Sequence, residues 1–211
     1  MWAIEEYEAA KQNQDLFRES DLDSLFEFAP DALKEEGEEE DDLPFRIVKE
    51  AGGKPVVVTK DGDPYPVHVS VTHTGDWLIC AVGEHPMGID AELKSRPVKA
   101  ALMRRICTEE EVQWLERGAA EVDEEHREEW LRQKLLWLWV RKEAYVKYLG
   151  TGIGEGLKTF SVVQERTTGD FCEKDGYQQV ELCGIPEVED ALVFAVYSPE
   201  DEVEEIRWMK W

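Results

Sequence analysis

Two hydrophobic periodicities divide the chain. In residues 67–75, VHVSVTHTG, Val67, Val69 and Val71 alternate with His68, Ser70 and Thr72, the pattern of a strand with one buried apolar face. Ahead of it, residues 45–50 and the β-branched run 56–59 read as strands, separated by the turn AGGKP at 51–55 and closed by KDGDP. DWLICAVG at 76–83 reads as a buried strand, and the short gap before it predicts a hairpin with 67–75. MGIDAEL, after His85 and Pro86, is the next short strand.

The helical period dominates elsewhere. Residues 2–17 and 21–29 carry apolar positions at helical spacing (Trp2, Ile4, Tyr7; Leu22, Leu25, Phe26), with Ser20 or Asp21 as N-cap. A helix is predicted from Pro97 to about Ile106, and a second begins at Thr108, where TEEE places glutamates in the first turn. A long helix from about Glu125 to Leu149 ends at Gly150. TGIGEGLKTFSVV is then a glycine-rich loop entering a strand, with further strands at 178–183, 191–197 and 203–208. The order helices, strands, helices, strands predicts an α+β chain of two similar halves, residues 1–85 and 86–211.

Composition sharpens this picture. The chain has 211 residues, enough for a core that needs neither disulfide nor metal to fold. Cys80, Cys107, Cys172 and Cys183 lack CxxC or zinc-type spacing and read as reduced thiols of a cytoplasmic protein. MWAIEEYEAAK lacks the basic start and apolar run of a secretion signal, and no stretch approaches eighteen consecutive apolar residues. The formal charge of -24 repels nucleic acid and anionic membranes, so neither is expected as a partner. The charge is uneven: residues 1–45 hold 16 of the 48 acidic and 3 of the 24 basic side chains, and KEEGEEEDD at 34–42 reads as a solvated loop. The opposite bias lies in residues 94–105, where Lys94, Arg96, Lys99, Arg104 and Arg105 occur without an acid. An anionic ligand or partner would meet the protein there.

Candidate chemistry lies in four stretches. Asp90 and Glu92 are two apart on one strand and share a face, with Ala91 turned away. Alone they read as two solvated acids; as a site, paired oxygens suit Mg2+, which keeps waters and shares its shell with substrate phosphates. Gly88 permits close approach of a backbone or ligand. In the long helix, Trp139, Glu143 and Lys147 are four residues apart and lie along one stripe. Alone, Glu143 and Lys147 read as a solvated ion pair. Lys54, Thr72, His73 and Thr74 are phosphate-friendly groups beside glycine turns, although a lone His73 is more often a hydrogen-bonded strand-end histidine. GTGIGEG at 150–156 follows a helix rather than opening one, so it reads as a C-cap and turn instead of a phosphate loop.

Taken together, GKP at 53–55, SVTHTG at 70–75, GIDAE at 88–92 and WVRKEAYVK at 139–147 resemble, in order and rough spacing, the motifs of the Sfp-type 4'-phosphopantetheinyl transferases. The resemblance covers residues 52 to about 163. It implies two α+β halves related by a pseudo-twofold, with the site in the cleft between them. It implies a monomeric enzyme that transfers the phosphopantetheine arm of coenzyme A to a serine of an acyl or peptidyl carrier protein. By the same resemblance Asp90, Glu92 and Glu143 hold Mg2+, and Lys142 and Lys147 lie beside the phosphates. Lys54, Pro55, Thr72, His73 and Thr74 line the coenzyme A site, and Trp139 is a packing residue that fixes the helix. Glu143 and Lys147 are the catalytic pair: Lys147 offsets charge on the leaving phosphate, and Glu143 accepts the serine proton through a water. Thr-His-Thr stands where the family has Ser-His-Ser, which keeps the hydroxyls. The family's N-terminal basic residues for the 3'-phosphate have no clear match; Arg46 or Lys49 substitutes, coenzyme A binds weakly, or the first half is remodelled. The second reading is a non-catalytic coenzyme A or carrier-protein binder of the same fold.

Overall fold

The computed structural model describes residues 45–49, 53–98, 100–152, 156–165, 171–178, 191–199 and 205–210. The predicted helices at 2–17 and 21–29, the acidic run 34–42 and most of the strand at 178–183 lie outside the described residues. Strands and helices both contribute, so the chain is α+β as expected.

β1 (Phe45–Lys49) and β2 (Pro55–Thr59) form an antiparallel pair. β3 (His68–Thr74) and β4 (Trp77–Gly83) make the predicted hairpin, joined at Thr74 and Trp77. β5 (Gly88–Leu93) is followed by α1 (Ala100–Ile106), α2 (Glu109–Ala120) and α3 (Glu124–Leu149). Next come β6 (Val163–Glu165), β7 (Phe171–Glu173), β8 (Tyr177–Gln178), β9 (Leu192–Tyr197) and β10 (Glu205–Lys210). β5, β9 and β8 form one sheet with β9 central, and β6 pairs with β7. β10 returns from the end of the chain to pair with β4, so the sheet built on the β3–β4 hairpin takes its third strand from beyond residue 200. β7 was not predicted, because a strand of three residues shows no readable alternation.

A buried cluster of Trp77, Ile79, Ala81, Met87, Ile89, Ala91, Leu192 and Val196 joins β4, β5 and β9. α3 packs on β9 through Val140, Ala144 and Ala195. Its other flank, with Leu135, Leu138 and Val146, meets Ile106, Cys107, Leu115 and Val162. A helix buried on two flanks carries little amphipathic signal, and α3 is recognisable instead by its length and its Gly150 stop. Gly150 adopts φ 72°, the left-handed C-cap that glycine supplies without strain. Cys80 and Cys107 are buried, as expected of core positions. Burial, reinforced by nearby Glu111, pushes the Cys107 thiol up to about 12. Cys172 and Cys183 lie where no side chain is described.

Two local constraints fix α3. The first is Gly88: a Cβ there would lie 2.0 Å from the Ala144 carbonyl oxygen and 2.4 Å from the Tyr148 nitrogen. β5 and α3 therefore touch backbone to backbone, and only glycine fits. The second is a fully buried ion pair, Lys142 Nζ to Glu111 Oε2 at 2.9 Å. Thr108, the predicted cap, forms a capping box with Glu111. The same Glu111 carboxylate also accepts from Val162 N at 2.9 Å. Lys142 donates to the carbonyls of Leu157 at 2.7 Å and Phe160 at 2.5 Å. All three ammonium donors are thus engaged, the condition under which a buried ion pair is tolerated.

Gly88→Ala is expected to destabilise the fold by about 3 kcal/mol or more in urea unfolding, because the clash is with backbone rather than a movable side chain. Lys142→Met is expected to cost about 3–5 kcal/mol by leaving Glu111 charged and buried; adding Glu111→Gln should recover part of that loss.

Candidate active site

The alternation in β3 serves a purpose different from the one its valines predict. Ser70, Thr72 and Thr74 are buried, whereas Val71 is half-buried and His73 exposed. Buried hydroxyls are accepted because each is hydrogen-bonded to β5. Ser70 Oγ accepts from Ile89 N at 3.0 Å, and Thr72 Oγ1 accepts from Ala91 N at 3.3 Å. Thr72 donates in turn to Asp90 Oδ1 at 2.9 Å, and Thr74 donates to Glu92 Oε1 at 2.5 Å. The side chains of one strand thereby link the two three-stranded sheets along β3 and β5. The expectation of a single buried valine face is corrected accordingly.

A cleft of roughly 620 Å3 opens between β3, β5, the turn before β2 and α3, a size suited to a small-molecule ligand. Lys54, Pro55, Thr72, His73, Asp90, Glu92, Trp139, Glu143 and Lys147, all singled out in the sequence, line it, together with Arg96. Asp90 and Glu92 are 7% and 8% exposed. Lys147 Nζ donates to Asp90 Oδ1 at 2.7 Å, and Arg96 forms an ion pair with Glu92 Oε2. Glu143, 7% exposed, has an Oε1 atom that is buried without a hydrogen-bond partner. Burial, and then the Asp90 charge, raise its carboxyl to about 7, against the opposing pull of Lys147 and Arg96. Partial burial, and then the Lys147 charge, hold the His73 imidazole below its ordinary value, with Asp90 opposing.

Two predicted residues lie elsewhere. Lys142 does not face the cleft: neighbouring residues on a helix are about 100° apart, so turning Glu143 inward turns Lys142 toward Glu111 and the 157–160 carbonyls. The expectation that Lys142 lies beside the phosphates is therefore corrected; burial lowers its pKa, with Glu111 opposing. Thr74 stands behind the acids and orients Glu92. Lys54 is on the cleft wall, where its ammonium donates to the Tyr148 carbonyl at 2.6 Å, near the negative end of α3. Arg46 and Lys49 are exposed on β1 and are not among the cleft residues.

Sequence reasoning missed Ser70, which was legible as the first of three alternating hydroxyls. It placed Arg96 only in the basic run at 94–105, where an anionic ligand or partner was expected. The Arg96 guanidinium lies 6.0 Å from the Trp139 ring centroid while paired with Glu92, so Trp139 is a wall of the cleft as well as a packing residue. Among the described residues no three His, Cys, Asp or Glu side chains stand arranged to chelate an ion. Side-chain donors hold Oδ1 of Asp90 and both oxygens of Glu92, whereas Oε1 of Glu143 is buried without a partner. An orphaned, buried carboxylate oxygen beside two further acids is a donor set suited to a hard cation.

Comparison with known proteins places this geometry. The family profile of the 4'-phosphopantetheinyl transferase superfamily matches residues 86–194, which carry β5 and α3. The chain is 35% identical over 112 residues to the 4'-phosphopantetheinyl transferase psf-1 of Bacillus pumilus, a match covering 53% of this chain and 42% of that protein. It is 30% identical over 118 residues to 4'-phosphopantetheinyl transferase Sfp of Bacillus subtilis (strain 168), covering 56% and 47%. It is also 29% identical over 123 residues to the human L-aminoadipate-semialdehyde dehydrogenase-phosphopantetheinyl transferase, covering 54% and 37%. The chain thus matches less than half the length of these relatives. The profile spans more than half of the chain and takes in the acidic strand and the Glu143 helix, so the chain belongs to the 4'-phosphopantetheinyl transferase superfamily.

Proposed function

We propose that this protein transfers the 4'-phosphopantetheine arm of coenzyme A to a serine of an acyl or peptidyl carrier protein. The observation that carries this reading is the unpartnered Glu143 oxygen in a cleft that also holds Asp90, Glu92 and Lys147, within the stretch that matches the family. Asp90, Glu92 and Glu143 would hold Mg2+, which when bound supplies positive charge to the pyrophosphate of the substrate.

The chain's own groups account for the rest. In the reaction the serine oxygen bonds to the phosphorus that bears the pantetheine. The bond from that phosphorus to the bridging oxygen breaks, and adenosine 3',5'-bisphosphate leaves. Lys147, partly exposed at the cleft, is placed to offset charge on the leaving phosphate. Glu143 accepts the serine proton through a water, because a metal-bound carboxylate is itself a weak base. Thr72 and His73 line the cleft for the nucleotide, with Lys54 and Pro55 beside the turn.

The same reading divides the chain into halves at residues 1–85 and 86–211, related by a pseudo-twofold about the cleft. In support, the cleft draws residues 53–55 and 69–73 from the first half, and Asp90, Glu92, Arg96, Trp139, Glu143 and Lys147 among others from the second. All come from one chain, so a monomer suffices. No described helix is long and apolar enough to cross a membrane. Arg104 and Arg105, exposed in the last turn of α1, are the proposed docking face for an acidic carrier.

Incubation with coenzyme A, Mg2+ and a panel of apo carrier proteins should add the arm to at least one carrier, read by intact mass spectrometry. Coenzyme A binding in calorimetry without addition to any carrier would instead identify a non-catalytic binder. Asp90→Ala and Glu143→Ala should each abolish transfer while circular dichroism stays unchanged, and Mg2+-dependent transfer by either would refute the metal assignment. Charge reversal of Arg104 and Arg105 should raise the KM for the carrier roughly tenfold with coenzyme A affinity unaltered; an unchanged KM would remove the docking face.

A further inference from the structure

Arg96 offers more than surface charge. Its guanidinium is ion-paired with Glu92 and lies over Trp139, yet the side chain remains 51% exposed. Lys147, on Asp90, is 31% exposed. Both cations therefore sit at the solvent side of acids that are themselves about 90% buried. The backbone beneath Arg96 is held in place: Arg132 Nη1 donates to the carbonyls of Lys94 at 2.5 Å and Arg96 at 3.1 Å, and Arg96 N closes a turn on Leu93 O at 2.9 Å. Arg132 is itself fixed to α3 through Glu129. Arg96 is thus an exposed cation on a fixed stem, in contact with a carboxylate and an indole face.

Charge bookkeeping indicates what this arrangement does. Two monovalent cations serve Asp90 and Glu92. One divalent cation delivers the same total charge, so exchanging it for the two side chains leaves the carboxylates equally compensated. The exchange also releases two positive groups at the mouth of the same cleft, where a polyphosphate can take them up. We propose that Arg96, acting with Lys147, is a placeholder cation: a divalent ion displaces it from Glu92, and the freed guanidinium then binds the phosphates of the substrate. This rests on the functional reading above and gives a specific role to one residue of the basic run at 94–105. The consequence is reciprocal coupling. A divalent ion alone must strip two side chains of their partner, and a phosphate alone must draw them off their acids, whereas both together give the acids and the phosphates each a cation.

The test is calorimetry on the full chain with Mg2+ alone, inorganic pyrophosphate alone and the two together, corrected for their association in solution. Pyrophosphate should tighten Mg2+ binding to the wild-type protein. In Arg96→Gln, Mg2+ alone should bind more tightly, pyrophosphate should bind the Mg2+-loaded protein more weakly, and the coupling between them should fall about tenfold. Lys94→Gln removes the same charge two residues away, from a side chain that lines a separate surface groove, and should leave the coupling unchanged. The inference is overturned if Arg96→Gln retains wild-type coupling, or if Lys94→Gln lowers it equally. A wild-type protein that binds neither Mg2+ nor pyrophosphate overturns both this inference and the function it rests on. Coupling that depends on Arg96, together with failure to modify any carrier, supports the inference and removes transfer alone.

Discussion

Three carboxylates converge on one cleft in a chain whose formal charge is already -24. Each of Asp90, Glu92 and Glu143 is less than a tenth exposed, and like charges at such depth repel strongly unless neighbouring groups compensate. Asp90 has Thr72 and Lys147, and Glu92 has Thr74 and Arg96, while one oxygen of Glu143 has no partner. The hydroxyls of β3, the ammonium on α3 and the guanidinium after β5 are therefore parts of one electrostatic arrangement. Its remaining deficit lies at Glu143, whose carboxyl is raised to about 7.

Packing has to hold that arrangement still. Gly88 brings β5 into backbone contact with α3, which fixes the distance between the strand acids and the helix acid. Lys142 and Glu111 fix the rotation of α3 from the opposite side and also bind the 157–162 segment. Lys54 secures the C-terminal end of the same helix through the Tyr148 carbonyl. A basic residue that the motif places next to Glu143 thus acts on the site through the helix, without touching the cleft.

Much of this was legible in the sequence. Strand alternation, the TEEE cap and the Gly150 stop located β3, β4, β5, α2 and α3, and the four-residue spacing put Glu143 and Lys147 on one face. What escaped had physical causes. A lysine adjacent to a cleft-lining glutamate invites an active-site role, although helix geometry turns it about 100° away. Valines in β3 suggested the buried face, whereas hydroxyls with partners on β5 can be buried just as well. Arg96 sits in a basic run where an anionic ligand or partner was expected, and only the fold shows it reaching back to Glu92.

The central claim is that Asp90, Glu92 and Glu143 together hold a divalent cation beside the phosphates of coenzyme A. Crystals grown with coenzyme A and Mn2+ and measured at the manganese absorption edge test it most directly. The account predicts an anomalous peak bounded by carboxylate oxygens of those three residues and an oxygen of the pyrophosphate. Bound coenzyme A with no such peak, or a peak held by other residues, would contradict it.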